Sequence, residues 1–531
     1  MNVENSILPD SVLAELQEGD KPSSILNGKS GFSAAGPILF QLASTPDPLS
    51  LPIDGGDAVK VFDLNTGEEL SVFVNLSNPA SHADETNPRV VVEVSPMTRF
   101  PYGHKLLAVL TNKLKNLDGE SFSVPSSVQE VVSDSGALAN YYSDALDFLA
   151  GKDIQANEIL SLTDFTVQDR SELSDSFMSM VNLVTSQDHP VEILSVDYHR
   201  FGAFSAKIEG RIRLVSFRES DGRISYTPGG AGKDYWTNFS LWLPSEARQG
   251  PVPVVIYGHG LNSSRQSAER VGESALKEGH AVFAIDQPQH GDRVVLDGGD
   301  FSSILTPGTV SRLTGMVVQS PLDMNSVLTG IRQHLDKLDV LPEGGDGVIE
   351  LDTTRISYLG TSLGGLLGGA FVGSAGAELN AGYLQVPGVG VTHVLSNSSL
   401  YNSNGIYNVI PSSANGAESA WMIAVFQSKL DQGDSIHYVD WVRTPQYSAA
   451  VKPLAIMYGQ RDKIVPFYTA ERLARLADLP LVGLNSDPVT GLRVVSDMEH
   501  GYGVNQNDGG HLSFLKYFEV RKYRNWLKQL P

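Results

Sequence analysis

The pattern of apolar and polar positions divides the chain into parts with different periodicities. Over residues 33–111, short alternating or β-branched runs are separated by turn-forming clusters, which is typical of strands in a small antiparallel sandwich. Over 127–184, apolar residues recur at helical spacing instead, as at Tyr142 and Leu146. We therefore predict a β-rich accessory domain over 33–190 that contains a helical segment.

From residue 191 onward, short apolar runs alternate with amphipathic stretches. The runs are VPVVIYGHG, HAVFAID, RISYLG, AGYLQVP, PLAIMYG and LRVVSD. Between two of them, residues 323–338 place their apolar side chains on one helical face. This alternation predicts an α/β domain over 191–531, with a mostly parallel sheet and flanking helices. Residues 1–32 have no clear period and are predicted to be a tail or an arm.

Length and charge narrow the classes of protein. With 531 residues, 41% hydrophobic and 19% charged, the chain has enough apolar material for two large cores. Its 39 basic and 61 acidic side chains give a formal charge of −22, which repels phosphate backbones, so no nucleic-acid partner is expected. No run of 18 or more apolar residues appears, and we expect no integral membrane span.

The chain contains no cysteine. Disulfides, cysteine-ligated metals and thiol nucleophiles are thereby excluded. Absence of cysteine favours an exported bacterial protein, either secreted, periplasmic or at the cell surface, and a cytoplasmic location is the alternative. The first residues are acidic and polar and do not have the features of a signal peptide, so we expect a mature or a cytosolic form.

The strongest chemical motif is the sequence GTSLG around Ser362. It follows the apolar run RISYLG and precedes the small-residue stretch GLLGGAFVG. A nucleophilic serine on a sharp strand-to-helix turn needs glycines two residues before and after it, here Gly360 and Gly364. We predict that Ser362 is such a nucleophile; the alternative is a glycine-rich turn in which Ser362 caps the helix.

A second glycine-rich strand end supplies candidate oxyanion donors. The run VPVVIYGHG ends at Gly260, and the N–H of Leu261 is predicted to point at the same position as the N–H of Leu363. His259, within this motif, is interpreted as structural.

The acid and base of a triad are expected downstream of the serine. Asp462 follows the run PLAIMYG, and it is favoured over the alternative of a surface carboxylate. His511, in the motif GGH before the terminal amphipathic stretch, is favoured as the base over His500, whose alternative role is a hydrogen-bonded wall residue. No HExxH, GxxxxGK[ST] or strand-linked GxGxxG motif occurs, and neither a metal nor a cofactor is predicted.

These motifs together resemble those of the α/β-hydrolase superfamily. They are GHG before Leu261, GTSLGG around Ser362, GQRD ending at Asp462 and GGH ending at His511, and the resemblance covers about 195–531. Within that superfamily the chain is similar to exported bacterial lipases and esterases with an N-terminal sandwich, the virulence-factor lipase group, through RFPYGHKLLAVLTNKLKNLDGE, IDQPQHGDR and QSKLDQGDSIHYVDWV. Members of that group are often anchored through an N-terminal cysteine, which this chain does not have.

The predicted function is that of a serine carboxylic ester hydrolase, an esterase or lipase that works through an acyl-enzyme. The substrate would be a small-molecule or lipid ester, or a polymer surface. Alternatives are a hydrolase of polymeric or aromatic esters, a serine peptidase and a non-catalytic exported binding protein. A triad of Ser362, Asp462 and His511 argues against the last of these.

An insertion over about 400–447 is predicted to form the lid. Its apolar cluster includes Trp421, Met422 and Phe426, which are suited to contact an acyl chain. The alternative is that the cluster simply packs the insertion onto the protein core.

Overall fold

The computed structural model describes residues 3–4, 7–77, 90–133, 136–227, 229–296, 298–481, 490–495 and 523–530. The strands, in chain order, are β1 (Ile38–Gln41), β2 (Val59–Asp63), β3 (Val72–Leu76), β4 (Val91–Pro96), β5 (Lys105–Thr111), β6 (Ile159–Thr166), β7 (Val191–Tyr198), β8 (Ala206–Ser216), β9 (Lys233–Leu243), β10 (Val252–Gly258), β11 (Ala281–Ile285), β12 (Leu351–Thr361), β13 (Ala381–Gln385), β14 (Leu454–Gly459) and β15 (Gly491–Val495). The α-helices are α1 (Asp10–Ala14), α2 (Pro22–Leu26), α3 (Ser126–Val132), α4 (Ala137–Ala150), α5 (Arg170–Ser186), α6 (Ala268–Val271), α7 (Glu273–Leu276), α8 (Arg293–Leu296), α9 (Val310–His334), α10 (Leu363–Ser374), α11 (Val391–Asn397), α12 (Leu400–Ser403), α13 (Gly416–Leu430) and α14 (Phe467–Leu476).

The chain folds as two compact units. Unit 1 comprises Met1–Glu172 and Gly405–Lys429, and unit 2 comprises Leu173–Asn404 and Leu430–Pro531. The chain therefore passes from unit 1 to unit 2 at Glu172, before the predicted boundary near residue 190, and it returns to unit 1 for α13.

Unit 1 is built around a β-sandwich, as the alternating sequence pattern predicts. Two antiparallel sheets, ordered β1-β4-β3 and β2-β5-β6, place alternate residues such as Val61, Val94 and Leu106 in one shared core. The other face of the second sheet packs on α3 and α4, for example through Val109 and Leu149. The sandwich thus carries a helical layer on one side.

The prediction of helices throughout 127–184 is wrong over Ile159–Thr166. These residues form β6, which pairs with β5 in an antiparallel register. Leu160 enters the sandwich core, whereas Leu162 packs towards the helical layer on the opposite face. Because both faces of this strand carry apolar residues, its sequence does not show the alternation of a half-buried strand.

The N-terminal arm belongs to unit 1 and has buried side chains of its own. Val12 of α1 and Leu26 of α2 are fully buried, and Phe32 N–H donates to the Thr166 carbonyl oxygen at 2.9 Å. The arm therefore extends the sheet that ends in β6.

Unit 2 contains a nine-stranded sheet in the order β15-β14-β13-β12-β10-β11-β9-β8-β7. The pairs β7–β8, β8–β9 and β9–β11 are antiparallel. Every other neighbouring pair of the sheet, from β11–β10 across to β14–β15, is parallel. All the apolar runs predicted as strands after residue 191 are strands of this sheet. Its parallel strands are buried along nearly their whole length, since both faces are covered.

Helices cover both faces of the large sheet. One core contains side chains of α6, α7 and the C-terminal residues 523–527, and the other contains side chains of α5, α9 and α10. Helix α9 spans Val310–His334, so it begins 13 residues before the predicted start at 323 and ends before 338. This strand order, with its flanking helices, is the α/β-hydrolase fold, and it confirms the predicted fold class.

Candidate active site

Ser362 stands at a strained turn between β12 and α10. Its backbone has φ 55° and ψ −115°, in a region that non-glycine residues rarely adopt. Such strain costs about 1–3 kcal/mol and persists only where the surrounding structure enforces it. Ser362 N–H donates to the Gln385 carbonyl oxygen at 2.9 Å, and the Ser362 carbonyl oxygen accepts from Leu366 N–H at 2.8 Å. The turn is therefore held on both sides, and the serine is only partly buried.

The glycines around the serine are required by close backbone packing. A Cβ atom on Gly364 would lie 2.1 Å from the Gly258 carbonyl oxygen, and one on Gly360 would lie 2.3 Å from the Gly364 carbonyl oxygen. The hydroxyl of Tyr358, fully buried, donates to the same Gly364 carbonyl oxygen at 2.7 Å. Helix α10 thus lies directly against the end of β10, which a side chain at Gly364 would prevent, and against the end of β12, which a side chain at Gly360 would prevent.

The loop after β10 passes beside Ser362. Gly258 of β10 pairs with Gly360 of β12, so both strands end at the same edge of the sheet. A Cβ atom on Gly260 would lie 3.4 Å from Ser362 Cβ and 3.8 Å from Ser362 Oγ. The predicted donor Leu261 is the next residue in this loop, and Leu363 is the first residue of α10, whose N–H has no acceptor within the helix. Both predicted oxyanion donors therefore belong to segments that flank Ser362.

His259 fixes this loop as a neutral imidazole. It is fully buried, its Nε2 accepts from Gln287 N–H at 2.9 Å, and its Nδ1–H donates to the Gly260 carbonyl oxygen at 2.8 Å. Burial, and next the proximity of His290, lower the pKa of His259 to about 4. At neutral pH the ring is therefore uncharged, and it connects the loop after β10 to the loop after β11.

The loop after β11 is organised around buried ion pairs. The Asp286 carboxylate accepts from Arg265 N–H and from the Arg265 guanidinium, each at 2.6 Å, and from Asp292 N–H at 3.0 Å. Arg293 is 1% exposed and donates to Asp323 of α9 at 2.6 Å. These contacts fix the loop after β11 in place and tie it to α9.

Asp462 lies just after β14, near the edge at which the parallel strands end. Its side chain is 3% exposed, and its Oδ1 accepts from the N–H groups of Ile464 and Val465, both at 3.0 Å. These two backbone donors fix the rotamer of the carboxylate. The sequence alternative of a surface carboxylate does not describe this buried position.

The two candidate histidines, His511 and His500, lie outside the described residues. Their assignment as base and as wall residue remains a prediction. The structure thus brings Ser362, Leu363 and the Leu261 loop together and places Asp462 after β14 of the same sheet.

The predicted lid residues are on α13, which belongs to unit 1. Met422 and Phe426 are buried, at 1% and 3% exposure, whereas Trp421 is half-buried and lines a cavity within unit 1. The segment Gly405–Lys429 therefore clusters with the sandwich, and the role of these three residues in contacting an acyl chain stays a prediction.

The segment DQGDSIH, residues 431–437, supports helix α10. The buried hydroxyl of Ser435 donates to the Leu366 carbonyl oxygen of α10 and accepts from Ala370 N–H at 2.8 Å. Next to it, the Asp434 carboxylate accepts from Val391 N–H of α11 at 2.7 Å. The signal in the sequence was the unusual density of polar residues in DQGDSIH between apolar stretches.

The described part of the chain holds no group of three or more His, Asp or Glu side chains arranged to bind a metal ion. None of the helices within the described ranges has the length and apolar character needed to cross a membrane.

No protein-family model matches this chain, and no curated protein matches it. Solved structures that match include acetyl xylan esterase 1 from a Thermoanaerobacterium species, with 12% identity, a TM-score of 0.39 and coverage of 66% of this chain and 94% of that one. An acetyl xylan esterase from a Paenibacillus species has 15% identity and a TM-score of 0.38, and the match covers 65% of this chain and 94% of that one. An S-formylglutathione hydrolase from Agrobacterium tumefaciens has 17% identity and a TM-score of 0.35, and the match covers 64% of this chain and 100% of that one.

Proposed function

We propose that the chain is a serine hydrolase that cleaves carboxylic esters through an acyl-enzyme. The observation that carries this proposal is the strained backbone of Ser362, held between β12 and α10 by glycines that allow no side chain. A serine that only capped a helix would have no need of φ 55°, because caps adopt ordinary extended backbone. Strain of this kind lifts the hydroxyl out of the turn and towards a substrate.

In the first step, Ser362 Oγ attacks the ester carbonyl carbon while its proton passes to the base. His511 is proposed as that base, and it returns the proton to the departing alcohol oxygen. In the second step, water attacks the acyl carbon while His511 takes one of its protons; the bond from the acyl carbon to Ser362 Oγ then breaks, His511 returns the proton to Ser362 Oγ, and the acid product leaves.

The negative charge that develops on the carbonyl oxygen needs donors already in place. The N–H groups of Leu261 and Leu363 are proposed for this role, since both flank Ser362 and Leu363 begins α10. The positive end of the α10 dipole adds to the same stabilisation. His259 supports the arrangement because its Nδ1–H binds the Gly260 carbonyl oxygen next to the Leu261 amide.

Asp462 is proposed to orient and stabilise the protonated base. Its Oδ1 is held by two backbone N–H groups, which fix the carboxylate so that Oδ2 can face the imidazole.

The test is hydrolysis of p-nitrophenyl esters from acetate to palmitate by the wild type and by Ser362→Ala. Loss of the nucleophile is expected to lower kcat by about 10⁶-fold. Ser403→Ala is the matched control, since Ser403 is an exposed serine of α12 in the same unit, and it should retain wild-type turnover. A fluorophosphonate should label the wild type and Ser403→Ala, with Ser362 Oγ displacing fluoride from phosphorus, and should not label Ser362→Ala.

Two further variants distinguish the histidines. His511→Ala should lower kcat about as far as Ser362→Ala, whereas His500→Ala should retain most of it, and Asp462→Asn should lower kcat by about 10⁴-fold. Undiminished ester turnover and labelling in Ser362→Ala would refute the proposal.

A further inference from the structure

Unit 1 contains a cavity of about 310 Å³ between the N-terminal arm, β1, β6 and α13. This volume lies at the lower end of the range that holds small ligands in proteins, about 300–1,000 Å³. All its lining residues belong to unit 1, so the cavity is complete within that unit.

Three aromatic rings border the cavity. Phe32 and Phe165 meet edge to face, with ring centroids 6.0 Å apart and planes at 84°, and Trp421 joins them from α13. Phe32 is 40% exposed, although a ring of this size gains from burial. The rings thus offer aromatic surface that protein atoms leave partly uncovered.

Small residues leave the space between the walls. A Cβ atom on Gly36, between the arm and β1, would lie 3.7 Å from the Ala424 carbonyl oxygen, so this part of the chain is in contact with α13. On α13, Trp421, Ala424 and Ser428 follow at intervals of three and four residues and therefore share the helix face that borders the cavity.

Ionic and hydrogen-bonded contacts hold α13 in place. Lys429 pairs with the buried Asp20 carboxylate at 2.6 Å, and Lys29 Nζ donates to the Ser428 carbonyl oxygen at 2.7 Å. At the other end of the segment, the Glu15 carboxylate accepts from Ser412 N–H at 2.8 Å and Ser413 N–H at 3.0 Å. The wall is therefore formed before a ligand arrives, which reduces the entropic cost of binding.

The charge of the lining selects for a neutral ligand. Asp164 is the one ionisable residue among those that line the cavity, and its carboxylate already pairs with Lys105 at 2.7 Å and accepts from Tyr141 at 2.8 Å. The hydroxyl-bearing residues Ser33, Thr163 and Ser428 add polar atoms. We propose that this cavity is a binding site for a compact, uncharged aromatic molecule, which stacks among Phe32, Phe165 and Trp421.

Isothermal titration calorimetry with 1-naphthol tests the site in the full-length chain. The heat signal does not depend on tryptophan fluorescence, so it can be measured in variants of Trp421. We expect saturable one-site binding in the wild type, at least about tenfold weaker binding in Trp421→Ala, and binding within about threefold of wild type in Trp421→Phe. Ala424→Leu, which fills the cavity, should also weaken binding.

Ile423→Ala is the matched control, because Ile423 is on the same helix and does not line the cavity. It should bind 1-naphthol as the wild type does, and Ser362→Ala should as well if the molecule occupies unit 1. Circular dichroism identifies any variant that fails to fold. Absence of saturable binding, equal affinity in Trp421→Ala, or tighter binding of 1-octanol or a xylose oligosaccharide than of 1-naphthol would overturn the proposal.

Discussion

Replacing Gly364 by alanine tests whether backbone packing determines the position of Ser362. The added Cβ would stand 2.1 Å from the Gly258 carbonyl oxygen, and Cβ atoms essentially never approach another heavy atom within 3.0 Å. Both partners are backbone groups, so α10 and the end of β10 must separate by about 0.9 Å, the difference between these distances. The displacement moves α10, which begins with Leu363, away from β10, which leads to Leu261.

The cost follows from that displacement. Overpacking of a rigid core typically destabilises by about 1–3 kcal/mol, and the better helix propensity of alanine offsets about 1 kcal/mol of it. A shift of about 1 Å at a catalytic centre lowers turnover by about 10²-fold. Gly364→Ala should therefore lower kcat/KM far more than its modest loss of stability would suggest.

The assay is kcat/KM for p-nitrophenyl acetate beside the urea midpoint of unfolding. Gly365→Ala is the comparison, because its Cβ would lie 3.0 Å from the Gln385 carbonyl oxygen and 3.2 Å from the Pro387 side chain. It needs a shift of only a few tenths of an ångström, so it should retain activity within about tenfold of wild type. Wild-type kcat/KM in Gly364→Ala would refute the argument that this contact positions Ser362, the proposed nucleophile.

Three further predictions concern buried charges. Burial raises the pKa of Glu93 from 4.5 to about 7, so the stabilising contribution of its neutral carboxyl group is full below pH 4.5 and is lost as the pH rises through 7. Glu93→Gln should therefore be more stable than the wild type at pH 8 by about 3 kcal/mol. Equal urea midpoints at that pH would contradict this. Burial instead lowers the pKa of His259 from 6.5 to about 4, so the stabilising contribution of its neutral ring is full above pH 6.5 and is lost as the pH falls through 4. Between pH 7 and pH 5 the free energy of unfolding of His259→Gln should fall by about 2 kcal/mol less than that of the wild type. Parallel pH profiles of the two free energies would refute the shift. Asp323→Asn leaves the buried Arg293 without its carboxylate and should cost about 3–5 kcal/mol in urea unfolding, and a loss below 1 kcal/mol would show that the pair does not stabilise the fold.

The large sheet could be predicted from the sequence because its parallel strands are buried on both faces. Each appears as a short continuous apolar run, and the runs at β10, β12 and β14 are bounded by glycines or polar turns. The turn at Ser362 was predictable for a related reason, since the strand, the glycine spacing and the small-residue helix are all local features. Asp462 after β14 followed from the same local pattern.

Long-range partners were not predictable in this way. The apolar cluster around Trp421 predicts a buried or ligand-contacting surface in the insertion, but the sequence does not show which part of the protein that surface contacts. In the structure the partners of this segment include Asp20 and Glu15, about 400 residues earlier in the chain. Strand β6 was missed for a related reason, because its second apolar face depends on helices that pack from elsewhere. The roles of His511 and His500 remain predictions, because both residues lie outside the described part of the chain.

The return of the chain to unit 1 at Gly405–Lys429 has a consequence for its synthesis. The strands of the sandwich have all been synthesised once the chain reaches Glu172, but α13 is synthesised only after residues 173–404. During that interval the aromatic side chains that line the cavity are not covered by α13. A gene fragment that stops at Glu172 would encode an unfinished unit. A fragment that joins residues 1–172 to 405–429 would encode both parts of unit 1, and any recombination that moved this unit into another gene would have to carry both parts.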